Sequence, residues 1–234
     1  MSTFVLVHGG WLGGWCWRPV APLLLEAGHE VHAPTLTGLG ERAHLARPHT
    51  GLVTHIRDVL AVLELDDLHD VVLVGHSSAG AVITGVAQRA GERIRELVHL
   101  DSFVPEQGES VFDLLSEPRR AHFESLVDAA GRIVLDPDSA LDGWAVTDPE
   151  DRAWVAPRLR PYPVGGLADP LPLATVPDLP RRYVHCTVKP GGDSFAAIAA
   201  AAAEDPAWRF DTLDAGHVPM VTAPEELAEL LCAG

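Results

Sequence analysis

The segment Val71-Val72-Leu73-Val74-Gly75-His76-Ser77-Ser78-Ala79-Gly80 constrains this chain more than any other, because an apolar strand runs straight into the helical residues Ala81 to Gln88. A strand that enters a helix without a loop leaves its corner residue with strained backbone angles, tolerated when the residues two before and two after are small. Gly75 and Ala79 meet that condition around Ser77, whereas a corner at Ser78 would put His76 where a small residue is needed. Ser77 is therefore the candidate nucleophile and Ser78 the donor of a backbone N–H. A corner at Ser78, or a glycine- and serine-rich strand end without chemistry, is the alternative. Ala79 stands where G-x-S-x-G has its second glycine, and alanine is still small.

Around this corner, short β-branched runs alternate with helical periodicity. Strands are expected at Phe4 to Val7, Glu30 to Ala33, Val71 to Val74, Leu97 to Leu100, Tyr183 to Cys186 and Arg209 to Leu213. In Thr54 to Leu65, residues Ile56, Val59, Leu60 and Leu63 fall on one helical face, with Thr54 available as N-cap. Pro224 suits a first helical turn, and Leu227, Leu230 and Leu231 make the apolar stripe of a C-terminal helix. Strand alternating with helix implies an α/β fold, a mostly parallel, doubly wound sheet with helices on both faces.

The alternation breaks once, between Pro105 and Pro180, in a stretch too long for a loop. It is expected to be a helical lid insertion, residues 105–180, over a core of residues 1–104 and 181–234. Helices are expected over Ser110 to Ala130 and around Glu150 to Ala156, the alternative being a partly disordered segment.

At 234 residues one core buries enough surface to hold without disulfides or a structural metal. The net charge of −16 disfavours nucleic acid and anionic membranes as partners. Cys16, Cys186 and Cys232 are too few and too scattered for a disulfide framework, which fits a cytoplasmic protein. The longest apolar tract, Phe195 to Ala203, is about half of the ~20 residues that span a bilayer and reads as a soluble helix. Met1 leads directly into the first strand with no targeting segment in view. A monomer or homodimer is expected.

Two further motifs lie at strand ends. His8-Gly9-Gly10-Trp11 follows the first strand; a glycine loop there can aim backbone N–H groups at a developing oxyanion, assigned to Gly10 together with Ser78. His8 reads as a structural holder of that loop, with a role as base the alternative, and the G-x-G-x-x-G spacing of a dinucleotide site is absent. Asp214-Ala215-Gly216-His217-Val218-Pro219 follows the last strand. A serine hydroxyl needs a neighbouring imidazole to take its proton, and His217, after the nucleophile in chain order, is the candidate base. No H-E-x-x-H motif or cysteine cluster with ligand spacing occurs, so neither metal nor cofactor is expected.

The chain resembles the α/β-hydrolases, and within them the methylesterase and hydroxynitrile lyase group that includes plant salicylate methylesterases and bacterial ester hydrolases. The matching stretches are FVLVHGGWLGGWCW from Phe4, GHEVHAPTLTGLGERAHL from Gly28, VVLVGHSSAG from Val71, LVHLDSFVP from Leu97, YVHCT from Tyr183 and GHVPMVTAPEELAELL from Gly216. The resemblance implies a cofactor-independent serine ester hydrolase acting through an acyl-enzyme. The lyases of the group carry a threonine after the first motif histidine and a lysine after the catalytic one; here Gly9 and Val218 stand there, which favours the esterase branch.

One position departs from the family pattern. The residue two past Thr187, where the triad carboxylate is usual, is Lys189. Two aspartates remain: Asp101, directly after the strand that follows the nucleophile's helix, and Asp193, four residues late and placed as a helix N-cap. Asp101 is preferred as orienter of His217, with Asp193 second. Trp11, His76, Phe103, Phe112, Phe123, Trp144 and Trp154 are expected to line a pocket for a small apolar or aromatic ester. A lyase or cofactor-free oxygenase on the same scaffold, and a non-catalytic small-ligand receptor, are the competing functions.

Overall fold

The computed structural model describes residues 1–172, 174–175 and 177–233. In chain order its main elements are β1 (Thr3–Val7), α1 (Ala21–Glu26), β2 (Glu30–His32), α2 (Leu52–Leu65), β3 (Val71–His76), α3 (Ala79–Ala90) and β4 (Ile94–Leu100). There follow α4 (Glu117–Ser125), β5 (Arg132–Ile133), α5 (Pro137–Gly143), α6 (Pro149–Val155), β6 (Tyr162–Pro163) and α7 (Gly165–Ala168). The chain then returns through β7 (Arg181–Cys186), α8 (Ala196–Glu204), β8 (Trp208–Leu213), α9 (Pro219–Thr222) and α10 (Pro224–Cys232).

Six strands form one parallel sheet in the order β2-β1-β3-β4-β7-β8. Alternate residues of one strand feed opposite faces: Val5, Val7 and Leu73 join the cluster under α2 and α3. Phe4, Leu6, Val72 and Val74 join the cluster that takes Leu24 of α1 and Leu227 and Leu231 of α10. The order reverses about β1, so the loops after β1 and β3 part to opposite faces and leave a crevice at the carboxyl ends of the strands.

The expected strands all occur, longer or shorter by one to three residues. Helix α2 starts at Leu52 rather than after Thr54: its N-cap position is Gly51, and the orphan Leu52 N–H donates to Asp169 Oδ2 at 3.1 Å, so a carboxylate distant in sequence replaces a local cap. The single helix expected over Ser110 to Ala130 is broken. A 3-10 turn at Val111–Leu114, closed by a Ser110–Asp113 capping box, precedes α4, whose first turn holds Pro118. Proline inside a longer helix would remove an N–H and clash with the preceding turn. The segment between β4 and β7 also contains a small antiparallel pair, β5 with β6, that no periodicity announced.

Candidate active site

The strained corner falls on Ser77, whose φ is +56°, while Ser78 has ordinary helical angles. Gly75 approaches the helix so closely that a Cβ there would lie 2.8 Å from Ala79 O. The strictest demand is at Gly80, one residue past the place the motif indicates, where a Cβ would lie 1.9 Å from Phe103 O. The corner is held by Ser77 N–H donating to Leu100 O at 3.2 Å and Phe103 N–H donating to Ser77 O at 3.1 Å.

His217, in the loop between β8 and α9, has Nε2 3.0 Å from Ser77 Oγ and Nδ1 2.5 Å from Asp101 Oδ2. Asp101 is fully buried just past β4, with a φ of +44°. Its N–H donates to Val184 O at 2.7 Å, and its Oδ1 accepts from Cys186 N–H at 3.2 Å. Its Oδ2 also accepts from the Lys189 ammonium. Burial alone would raise this carboxyl's pKa; the hydrogen bond and charge of His217, with those of Lys189, outweigh it and hold the group below its usual range. Asp193 is engaged elsewhere: Oδ2 lies 2.8 Å from His185 Nε2, and Oδ1 accepts from Phe195 N–H at 2.8 Å.

The glycine loop after β1 is held by His8, whose Nε2 accepts from Leu36 N–H at 3.0 Å and whose Nδ1 lies 2.8 Å from Gly9 O. Burial lowers the pKa of His8 to about 4, so at neutral pH the ring is an uncharged strut. Trp11 has a φ of +63°, donates through Nε1 to Ile133 O at 3.0 Å, and accepts on its own O from Arg160 N–H at 3.0 Å. Tyr162, which sequence reasoning missed, packs against Trp11 and has its hydroxyl 3.3 Å from Ser78 Oγ. Trp144 O accepts from His217 N–H at 3.0 Å. The segment between β4 and β7 thus contacts the loops carrying Gly10, Ser78 and His217.

A cavity of about 60 Å³ opens at Ser77 and His217. Trp11, Phe103, Phe123 and Trp144 line it, as do Ser78, Leu115, Arg119, Lys189 and Phe195. Three residues expected there lie elsewhere. His76 is buried behind His217, with Nε2 2.6 Å from the His217 carbonyl, because a residue one before the corner points back under the sheet end. Phe112 sits in the core cluster with the Arg120 guanidinium over its ring, and Trp154 packs edge-on against Trp15 on the other face of the sheet. Phe195 and Lys189 carried no local signal as pocket residues, since the loop after β7 reaches the cavity only through its tertiary path.

A sequence model of the Alpha/beta hydrolase family matches residues 4–230. The chain belongs to that family. It is 41% identical, over 244 residues covering all of this chain and 99% of its relative, to a carbendazim hydrolyzing esterase of Nocardioides sp. (strain SG-4G). Similarity also extends to the putative methylesterase 15, chloroplastic, of Arabidopsis thaliana, 24% identical over 98% of this chain and 56% of that one. Among solved structures, an extracellular alpha/beta-hydrolase from a Paenibacillus species, described as sharing structural and functional homology with tobacco salicylic acid binding protein 2, superposes with a TM-score of 0.89. It is 27% identical and covers 100% of this chain and 98% of that one. Among the described residues no group of three or more His, Cys, Asp or Glu side chains could hold a metal ion, and no helix is long and apolar enough to cross a membrane.

Proposed function

We propose that this α/β-hydrolase is a serine carboxylic-ester hydrolase that works through an acyl-enzyme without a cofactor. The observation that carries the reading is the unbroken contact path from Ser77 Oγ through His217 to the buried Asp101 carboxylate. Ser77 attacks the ester carbonyl carbon as His217 Nε2 takes its proton, and Asp101 keeps Nδ1 protonated and stabilises the imidazolium. The Gly10 and Ser78 N–H groups receive the oxyanion. His217 then protonates the departing alcohol, and water, activated by the same imidazole, releases the acid and restores Ser77.

The aromatic lining supports a small apolar or aromatic ester as substrate. Residues 105–180 act as a lid over the core of residues 1–104 and 181–234, a reading supported by Phe123 and Trp144 of that segment lining the cavity at Ser77. The esterase branch is supported over the lyase branch by two features. A side chain at position 9 would lie 2.8 Å from Ser77 Cβ, and the Lys189 ammonium is committed to Asp101. The three free cysteines, Cys232 among them exposed, support a reducing, cytoplasmic setting.

The test is turnover of p-nitrophenyl esters, methyl aryl esters and carbendazim by wild type and Ser77→Ala, with a fluorophosphonate probe located by mass spectrometry. Hydrolysis that depends on Ser77, one adduct on that residue, and activity surviving EDTA are expected. A ligand bound but never turned over would favour the receptor, and turnover retained in Ser77→Ala would favour a lyase or oxygenase.

A further inference from the structure

Lys189 is the chain's only lysine, and it lies in the site rather than on the open surface. Its side chain is 11% exposed, and its Nζ lies 4.9 Å from the centroid of the Phe195 ring. Phe195 in turn stacks on the His217 imidazole, centroids 5.0 Å apart. The ammonium donates to Asp101 Oδ2, the oxygen that also meets His217 Nδ1. Taking a cation this far out of water is costly, and it is offset only where geometry and charge are well matched.

We propose that Lys189 is a positioning residue: its ammonium clamps the Asp101 carboxylate against His217 and takes up part of the negative charge that would otherwise act on the imidazole alone. The proposal rests on the Ser77–His217–Asp101 reading of the function. The other titratable groups around the pair offer no replacement for this cation. His76 behind the imidazole is kept neutral by burial, and the Cys186 thiol and Tyr183 hydroxyl of β7 have their pKa values pushed up by burial. Asp193 is turned to His185, Asp214 to Thr187, and Arg119 stands across the cavity, its guanidinium over Phe123.

Without the ammonium the carboxylate's full charge favours the protonated imidazole. In Lys189→Met the acid limb of kcat/KM for an activated ester therefore moves to higher pH, on the order of one unit. Lys189→Arg keeps the cation and restores the limb toward that of wild type. A merely structural lysine would change the urea midpoint or the plateau rate and leave the limb in place. Because the chain has one lysine, protein labelled with [13Cε]lysine gives a single side-chain signal, which reads the clamp without any turnover. That signal is expected to respond as the imidazole titrates in wild type and to lose the response in Asp101→Asn.

A signal insensitive to pH between about 5 and 9, or an unmoved acid limb in a Lys189→Met protein with the wild-type urea midpoint, would overturn the proposal. A wild type that hydrolyses no ester would instead overturn the proposed function, while the lysine signal still decides the clamp. If Lys189→Met does not fold, the comparison of labelled wild type with Asp101→Asn decides it alone.

Discussion

The loops after β4 and after β7 leave neighbouring strands of one sheet at the same edge, and each carries an aspartate, yet only one aspartate reaches His217. Asp101 follows its strand immediately, at a φ of +44°, and its N–H continues the ladder onto Val184 O. The carboxylate is thereby fixed in the sheet's own frame, fully buried beside the imidazole. Asp193 lies seven residues past β7, and its two oxygens serve His185 and the backbone that opens α8. What the second loop brings to the site is the cation Lys189. One loop brings a carboxylate to His217 and the other a cation to that carboxylate, so the aspartate directly at its strand end reaches the imidazole and the one deeper in its loop does not.

This division of roles matters only if the group served by both loops does the chemistry. Ser77→Ala is expected to lower ester turnover by about 10⁶-fold or to background. Retention of more than a small fraction of the wild-type rate, with labelling at Ser78, would remove the basis of the division along with the mechanism. The next largest effect separates the loops directly. Asp101→Asn should cost up to ~10⁴-fold in kcat, less for an activated ester, because the amide favours the wrong imidazole tautomer. Steady-state kinetics in which Asp193→Asn is the slower of two well-folded variants would reverse the assignment.

Both variants are best compared above pH 6.5, since four buried histidines, His8, His55, His76 and His99, remove stability below it. His8 and His55 have pKa values lowered to about 4 and His99 to about 3, each chiefly by burial. Folded-state values below the unfolded ~6.5 mean that, as pH falls, the unfolded chain binds protons that the folded chain does not. Stability is therefore intact at neutral pH and declines from about pH 6.5 toward 3, by several kcal/mol in all. Asp101, held below its usual value, adds a further loss as pH falls below about 4. Urea midpoints should hold from about pH 7.5 to 6.5 and fall from there to about 4.5; a profile flat throughout would show that these rings are solvated. The smallest effect is that of Asp193→Asn itself, about 1 kcal/mol of stability from the weakened contacts at α8, with turnover within a few-fold of wild type. Thermal melts and kcat on one preparation separate the two.

Much of the strand-end arrangement is legible in the sequence itself. Val71 to Gly80 announces a strand that becomes a helix at Ser77, because strain at such a corner restricts its neighbours to small side chains over a few residues. The six strand runs and the placing of His8 and His217 at strand ends follow from the same short-range pattern. Asp101 could be preferred from its position at a strand's end, since the carboxyl ends of parallel strands share one edge.

The remaining features depend on contacts between residues distant in sequence. Nothing near Lys189 indicates that its ammonium meets Asp101, 88 positions away, or that Phe195 covers His217. Tyr162 against Trp11, and Asp169 in place of a local cap on α2, arise where the segment between β4 and β7 folds back over the sheet. His76, Phe112 and Trp154 suit the cavity by residue type, but type is silent about direction, and packing turns them away from it. Short-range pattern was enough for the sheet, the corner and the chemistry of its strand ends, because backbone strain and alternating burial act over a few residues. Which charges and rings meet at those strand ends is settled in three dimensions, by how the loops and the segment between β4 and β7 pack against the sheet.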